Sequence, residues 1–284
     1  MIMEFRVARA MKHMWEEPVI SGAKGSGTIF FSGCRLHCCY CQNYNISHKG
    51  KGLNLTGRQL LALMFWLQNE GAHNINLVTP SHVAAALRPV LQEAKRDFLK
   101  IPVVYNTGGY DGLAGLRALD GLIDIYLPDL KYVDAGIAQK YSGAADYFEI
   151  ANAALREMRR QQPRDVFIRG LMRRGVLVRH LVLPNLTSYS CAVLDAVAAI
   201  DKTLYVSVMA QYFPTADAQK FPELSRRLTN AEYDAVCGHF FAAGLRNGFT
   251  QDPESAVEDY VPDFDLDLLR ADVAKAEELF GGRG

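Results

Sequence analysis

The sequence lacks a membrane-spanning segment, a secretory signal and an excess of either charge. No stretch of its 284 residues approaches the roughly 18–20 consecutive apolar residues that a membrane-spanning helix needs. The first residues, as far as Glu17, contain no apolar run before a small-residue cleavage site, so they do not resemble a secretory signal. Neither sign of charge is in excess, because Lys and Arg total 31 and Asp and Glu also total 31. We therefore expect a cytoplasmic protein with no membrane or nucleic-acid partner.

Cysteine is scarce and unevenly placed. Four of the six cysteines fall between Cys34 and Cys41. A group this tight, in a chain this long, indicates metal ligation rather than a disulfide framework. Cys191 and Cys237 each stand alone in a helix-like stretch, where we expect small buried side chains.

Apolar, β-branched runs bounded by turn residues recur along the chain. Their hydrophobicity is nearly continuous rather than alternating, which is typical of parallel strands covered by helices. Each run is followed by a helical period, and a repeated βα unit fits either an incomplete barrel or an open doubly wound sheet. The predicted strands are Thr28–Ser32, Ile75–Thr79, Ile101–Asn106, Leu122–Leu127, Val176–Leu183 and Thr203–Met209.

Three of the predicted helices, at Thr56, Ser188 and Asn230, begin beside residues that cap helix N-termini. Thr56 caps a helix that runs to Glu70, and Pro80 or Ser81 begins the next, towards Phe98. The acidic, proline-containing segment Asp252–Asp267 is predicted to be extended. The remaining predicted helices are Tyr147–Gln162, Ser188–Ile200, Asn230–Gly244 and Leu268–Phe280.

The stretch Gly25–Ser47 carries the motif that indicates function. After a predicted strand and a glycine, Cys34, Cys38 and Cys41 follow the spacing C-x3-C-x2-C. Three thiolates on one loop can converge on a cubane iron–sulfur cluster and leave one iron open, as in catalytic metal sites. Cys39 adjoins Cys38 and is expected to point away from it. Two alternatives stay open, namely reactive thiols and a zinc site completed by His37 or His48.

This stretch resembles the signature of the radical S-adenosylmethionine enzymes, in which an aromatic residue, here Tyr40, precedes the third cysteine. Over most of its length the chain is similar to the pyruvate formate-lyase activating enzyme group, and more narrowly to its PflX-like branch. The phrases that carry the narrower resemblance are WEEPVISGAKGSGTIFFSGC, CQNYNIS, GAHNINLVTPSHV, IPVVYNTGGY, DIYLPDLKY, VRHLVLPN and VSVMAQYFP.

The resemblance implies an α/β fold, a partial (β/α)6 TIM-type barrel of parallel strands. It implies one domain over residues 1–284, with an N-terminal extension (1–24), a core (25–250) and a C-terminal extension (251–284). A [4Fe–4S] cluster on Cys34, Cys38 and Cys41 would reductively cleave S-adenosylmethionine to a 5′-deoxyadenosyl radical. That radical would abstract hydrogen from a protein or peptide partner, as glycyl-radical activating enzymes do.

The cysteine count implies a single cluster, because Cys39, Cys191 and Cys237 cannot supply a further set of four ligands. The electron would then come from an external flavodoxin or ferredoxin. Two other functions stay open. One is radical modification of a small molecule or a ribosomal peptide, and the other is a non-catalytic iron–sulfur or zinc-stabilised binding protein.

The resemblance also implies cofactor contacts at the ends of the predicted strands. Thr79 and Ser81 stand where the group has Gly-Gly-Glu, and Asn106-Thr107 stands where it has Asp-Thr. Asp129 is expected to bind a cation or the ribose, and Lys131 the methionine carboxylate.

Two further contacts are expected near the end of the chain's core. Arg179 and His180 are adjacent in a strand, so only one can face the barrel interior, and His180 is the predicted one. Met209, with Gln211 and Tyr212, is expected to face adenine or the substrate, and a core position for Met209 is equally open.

Overall fold

The computed structural model describes residues 4–215, 217–251 and 262–282. Its centre is a curved sheet that does not close on itself, with strands in the order β10-β9-β8-β6-β5-β4-β2-β1-β3 and β7 paired to β8. From β2 to β10 every neighbouring pair on this path is parallel. The strands are β1 (Glu4–His13), β2 (Ser26–Phe31), β3 (Leu53–Thr56), β4 (Ile75–Val78), β5 (Val103–Thr107), β6 (Ile125–Pro128), β7 (Val166–Ile168), β8 (Leu171–Leu181), β9 (Tyr205–Met209) and β10 (Asn247–Thr250).

Most of the helices cover the convex side of this sheet, whereas α1 lies on its concave side. The predicted α/β fold with an open, parallel barrel is therefore confirmed. The helices are α1 (Pro18–Ser21), α2 (Tyr44–Ser47), α3 (Gly57–Asn69), α4 (Ala84–Asp97), α5 (Leu113–Ala118), α6 (Ala135–Ser142), α7 (Tyr147–Gln161), α8 (Thr187–Ile200), α9 (Asn230–Ala242) and α10 (Leu266–Gly281).

Helix α3 begins at the predicted cap. Thr56 Oγ1 accepts a hydrogen bond from the Gln59 backbone N–H, and Gln59 Oε1 accepts one from the Thr56 backbone N–H. This reciprocal pair satisfies two N–H groups that lack partners at a helix start. Leu60, Leu61, Met64 and Leu67 form the inner face of α3 and are buried, whereas Phe65 on the same face is half-buried.

Helix α4 begins at Ala84, later than the predicted Pro80 or Ser81. The backbone at Thr79 is left-handed, with φ 59°, and the Val83 N–H bonds to Pro80 O in a separate turn. This separate turn lies between β4 and α4, so the helix starts at Ala84.

The N-terminal residues belong to the sheet. Strand β1 pairs antiparallel with both β2 and β3, although residues 1–24 were predicted to be an extension of the core. The connection from β1 to β2 then crosses the concave side of the sheet. There Ile20 of α1 packs with interior side chains of β5, β6 and β8, namely Val104, Ile125, Leu127 and Leu177. This connection therefore fills the barrel interior below the site.

Three smaller expectations have mixed outcomes. Residues 252–261 of the predicted extended segment lie outside the described residues, and α10 begins at Leu266 rather than Leu268. Cys191 and Cys237 do lie in helices, but both are half-buried rather than fully buried. Among the described residues no helix is long and apolar enough to cross a membrane.

Candidate active site

A cavity of about 250 Å³ opens at the carboxyl ends of the parallel strands. Such strand ends meet at one edge of a barrel, which brings together residues far apart in sequence. Of the predicted site residues, all but Ser81, His180 and Tyr212 line this cavity. The lining residues among them are Cys34, Cys38, Tyr40, Cys41, Thr79, Asn106, Thr107, Asp129, Lys131, Met209 and Gln211.

The cysteine loop forms one wall of the cavity. Cys34, Cys38 and Cys41 line it, whereas Cys39 does not. The loop begins at Gly33, whose φ of 94° makes the turn after β2. Backbone bonds from His37 N to Ser142 O (3.0 Å) and from Cys39 N to Tyr141 O (2.8 Å) then fix the loop against the end of α6.

Each of these three thiols has a polar neighbour. The Leu36 N–H donates to Cys34 Sγ at 3.4 Å, and Ser142 Oγ donates to Cys38 Sγ at 3.0 Å. The distance from Cys41 Sγ to Ser47 Oγ is 3.2 Å. Hydrogen bonds to ligand sulfurs orient them and tune the group that they bind.

Burial raises the pKa of Cys34 and Cys38, and raises that of Cys41 to about 11. The thiols are near enough to act on one another, since Cys38 raises the pKa of Cys34 and of Cys41 further. The cation of Lys131 acts in the opposite direction on Cys34 and Cys38.

Three soft thiol donors on one cavity wall are of the kind that binds an iron–sulfur cluster. Binding such a cluster would release the thiol protons, and the nearby Lys131 cation would favour the resulting thiolates. In the described part of the chain, no three side chains of His, Cys, Asp or Glu form a group that holds one metal ion.

Tyr40 lies behind the cysteines and is buried. Its hydroxyl bonds to that of Tyr132, which lies 2.9 Å from Ser142 Oγ, the donor to Cys38. The tyrosine pair therefore supports the serine that contacts the cysteine.

Charged side chains form the opposite wall. Arg179 Nε donates to Asp129 Oδ1 at 3.0 Å, and Lys131 Nζ donates to Asp129 Oδ2 at 2.6 Å. Arg179 Nη2 also donates to Asn106 Oδ1 at 2.6 Å. Burial alone would raise the pKa of Asp129, but Lys131 and Arg179 outweigh it and hold that pKa below its usual value. Asp129 is therefore ionised between two cations.

Glu16 joins this wall from the β1–β2 connection. Its carboxylate accepts hydrogen bonds from Asn76 Nδ2 (2.9 Å), Asn106 Nδ2 (3.2 Å) and Arg179 Nη1 (3.3 Å), which come from β4, β5 and β8. Burial raises its pKa, whereas Arg179 lowers it. Glu16 was not predicted as a site residue, because its only local signal in the sequence is an acidic pair before Pro18.

Arg179, not His180, faces the cavity. Adjacent strand residues point to opposite sides, and Arg179 takes the inward one. His180 is buried with its Nδ1 2.8 Å from Leu130 O, and burial lowers its pKa to about 4. It is therefore a neutral histidine away from the cavity.

Of the other predicted residues, two line the cavity and two lie outside it. Ser81 lies behind the cavity with its Oγ 3.0 Å from Thr107 Oγ1, and Thr107 in turn donates to the buried Asp111 at 2.6 Å. Met209 and Gln211 line the cavity. Tyr212 does not, because it is buried and donates to Leu224 O at 2.6 Å.

No protein-family model matches the chain. It is 28% identical, over 233 residues, to an uncharacterized protein of Methanocaldococcus jannaschii. The alignment covers 78% of this chain and 63% of that protein, so the chain spans less than two thirds of the length of that relative.

Solved structures resemble the chain in fold at low sequence identity. A mutant of spore photoproduct lyase matches with a TM-score of 0.56 and 13% identity, over 86% of this chain and 80% of the lyase. Methylornithine synthase matches with a TM-score of 0.53 and 16% identity, over 90% of this chain and 81% of the synthase. The chain therefore shares the open α/β barrel fold of these two enzymes.

A third solved structure resembles the chain over only about half of its own length. SuiB of Streptococcus suis, bound to the precursor peptide SuiA, matches with a TM-score of 0.55 and 10% identity. The match covers 78% of this chain and 48% of SuiB, and SuiB has also been solved bound to S-adenosylmethionine. At these identities the similarity shows the fold alone.

Proposed function

We propose that the protein is a radical S-adenosylmethionine enzyme whose cluster ligands are Cys34, Cys38 and Cys41. The observation that carries this proposal is the shared cavity of these three thiols, from which Cys39 is absent. Three ligands leave one iron of a cubane open to a further molecule. Reduced and bound there, a [4Fe–4S] cluster supplies the electron that cleaves S-adenosylmethionine and yields a radical able to take a hydrogen atom from a substrate.

The chain's own residues would hold and orient these groups. Ser142 and the Leu36 N–H stabilise the thiolates of Cys38 and Cys34 by hydrogen bonding. Tyr40 and Tyr132, both buried, exclude water from this side of the loop.

The charged wall suits a zwitterion such as the methionine end of S-adenosylmethionine. Lys131 offers a cation for a carboxylate, and Asp129 offers an anion for an ammonium or a hydroxyl. Thr79, Asn106, Thr107 and Met209 would complete the cofactor contacts around the same cavity.

A protein or peptide is the substrate class that we propose, with an external flavodoxin or ferredoxin as electron donor. The peptide-bound structure of SuiB, which has the same fold, supports this choice. Glycyl-radical activation, as in the pyruvate formate-lyase activating enzyme group to which the PflX-like branch belongs, is one form of it. A small-molecule substrate is the second candidate, since methylornithine synthase shares the fold over most of both chains.

Release of 5′-deoxyadenosine tests the reaction. The protein is reconstituted anaerobically with iron and sulfide, reduced with dithionite and mixed with S-adenosylmethionine. We expect 5′-deoxyadenosine from the parent protein and from Cys39→Ala, and none from Cys41→Ala. A colourless zinc protein that releases no 5′-deoxyadenosine would instead support the non-catalytic alternative.

A further inference from the structure

A short two-stranded ribbon projects from the end of the sheet opposite the cavity. It comprises residues 164–174, here called the basic ribbon, in which β7 pairs antiparallel with the start of β8. Pairing of β8 with β6 begins only at Gly175. Leu171 precedes Arg179 of the cavity by eight residues, or about 26 Å of extended strand. The ribbon is therefore separate from the proposed reaction site.

One face of the ribbon is anchored and the other is open. Phe167 and Met172 pack into the barrel interior, and the Phe167 ring centroid lies 4.9 Å from that of Tyr205. On the other face Val166 is 41% exposed and Ile168 is 57% exposed. Within the described residues β7 pairs only with β8, so one of its edges is unpaired. The ribbon thus presents an unpaired strand edge beside an exposed apolar face, while its opposite face is packed against the barrel.

The ribbon also carries uncompensated positive charge. In the described part of the chain, no carboxylate lies within ion-pairing distance of Arg164, Arg169, Arg173 or Arg174. Its single acidic residue, Asp165, is already bonded to Arg159 Nη1 at 3.1 Å. The Lys24 backbone N–H donates to His73 Nε2 at 3.3 Å, and the pKa of His73 is lowered by burial and by the cations of Lys24 and Arg173, so Lys24 lies near the ribbon as well.

The turn of the ribbon holds an arginine in a strained conformation. Arg169 and Gly170 connect the strands with φ values of 52° and 79°. Two-residue turns with both φ values positive favour Asn-Gly, because asparagine and glycine adopt this conformation at low cost. Arg169 is exposed and forms no ion pair in the described chain, so the folded state alone does not account for arginine here.

We propose that the basic ribbon is a docking site for an acidic, extended segment of a protein partner. The segment would add a strand to the free edge of β7, with carboxylates at its two ends reaching Arg169 in the turn and Arg174, which pairs with Val166. Its alternate apolar side chains would cover Val166 and Ile168. A nucleic-acid phosphate chain fits less well, because it would bury these two apolar residues against charge and leave the β7 edge unpaired.

Peptide binding tests this proposal with a defined probe. The probe is a fluorescein-labelled peptide of alternating Glu and Val, and its binding to the whole protein is followed by fluorescence anisotropy at low and high salt. We expect saturable binding that weakens with salt. A block peptide with the same composition but no alternation should bind at least about tenfold more weakly, because it cannot present an apolar side chain at every second position along one strand face.

Three variants separate docking from folding. Arg169→Glu/Arg174→Glu should weaken probe binding at least about tenfold, whereas Arg88→Glu on the exposed side of α4 should not. Arg169→Asn should also weaken binding while the protein stays as stable or becomes more so, since asparagine relieves the turn.

Several outcomes would overturn the proposal. These are no binding of the alternating peptide, equal binding of the block peptide, or unchanged binding by the Arg169→Glu/Arg174→Glu variant. Tighter binding of poly(U) RNA or of phosphatidylglycerol vesicles, lost in that same variant, would assign the ribbon to a different class of partner.

Discussion

Arg179 and Asp129 form an ion pair inside the barrel, with Arg179 Nε 3.0 Å from Asp129 Oδ1. They lie on neighbouring parallel strands, where Asp129 directly follows β6 and Arg179 is near the end of β8. The second oxygen of Asp129 accepts from Lys131, and Glu16 accepts from the far side of Arg179. Charges of alternating sign therefore run along one wall of the cavity, and their sum is zero when all four groups are ionised.

Asp129→Asn should destabilise the protein by about 3–5 kcal/mol, because it leaves Arg179 and Lys131 buried with one carboxylate fewer. Urea unfolding monitored by circular dichroism measures this loss. The matched control is Asp120→Asn, which removes a surface ion pair with Arg160 and should cost less than about 1 kcal/mol. Equal losses in both variants would show that the buried wall is not held together by charge.

Thr79→Asn should stabilise the protein by about 0.5–1 kcal/mol, because asparagine tolerates a positive φ that a β-branched residue does not. Thr79→Val is the control, since it keeps the β-branch and should give no gain. The difference between the two variants in free energy of unfolding is the quantity to measure. A gain in Thr79→Val as large as that in Thr79→Asn would place the effect in the hydroxyl instead.

Ser142→Ala should make the reduction potential of the reconstituted protein more negative. The Ser142 hydroxyl donates to Cys38 Sγ, and hydrogen bonds to ligand sulfurs favour the reduced, more negative state. A redox titration monitored by electron paramagnetic resonance measures the shift. Ser225→Ala, which removes an exposed serine bonded to Pro222 O, should leave the potential unchanged. An unchanged potential in Ser142→Ala would argue against Cys38 as a ligand.

His180 should make the folded state acid-sensitive. Its folded pKa of about 4 lies below the 6.5 of an exposed histidine, so the unfolded chain binds the extra proton first. Stability is then complete above pH 6.5 and is lost as the pH falls towards 4. Between pH 7.5 and 5 this contribution is about 2 kcal/mol. Urea unfolding at pH 7.5 and pH 5 measures the change in free energy of unfolding between these pH values. This change should be smaller in His180→Gln than in the parent protein by that amount. An equal change in both proteins would show that His180 is not a buried neutral histidine.

The sheet and most helices are predictable from sequence because their signals are local. Strand β4 is buried along its whole length, and the Thr56 capping box is readable from residues three apart. Strand β1 has an alternating pattern at Phe5 and Val7. Its pairing with β2 brings together residues that are distant in sequence, such as Val7 and Phe31, and no local pattern reveals that pairing. The antiparallel edge of the sheet was therefore missed.

The residues that line the cavity are less predictable, because they depend on which alternate side chains of each strand face the barrel interior. The alternation of a strand does not fix its phase, so it does not decide between Arg179 and His180. Glu16 reaches the site only because the β1–β2 connection crosses the barrel interior. Which of the lining residues bind the cofactor stays a prediction.

The iron content of single-cysteine variants tests the central proposal most directly. After anaerobic reconstitution we expect about four iron atoms per chain in the parent protein and in Cys39→Ala, as one cubane requires. Cys34→Ala, Cys38→Ala and Cys41→Ala should each retain almost none. Loss of iron in Cys39→Ala with retention in Cys38→Ala, or about eight iron atoms in the parent protein, would contradict the account.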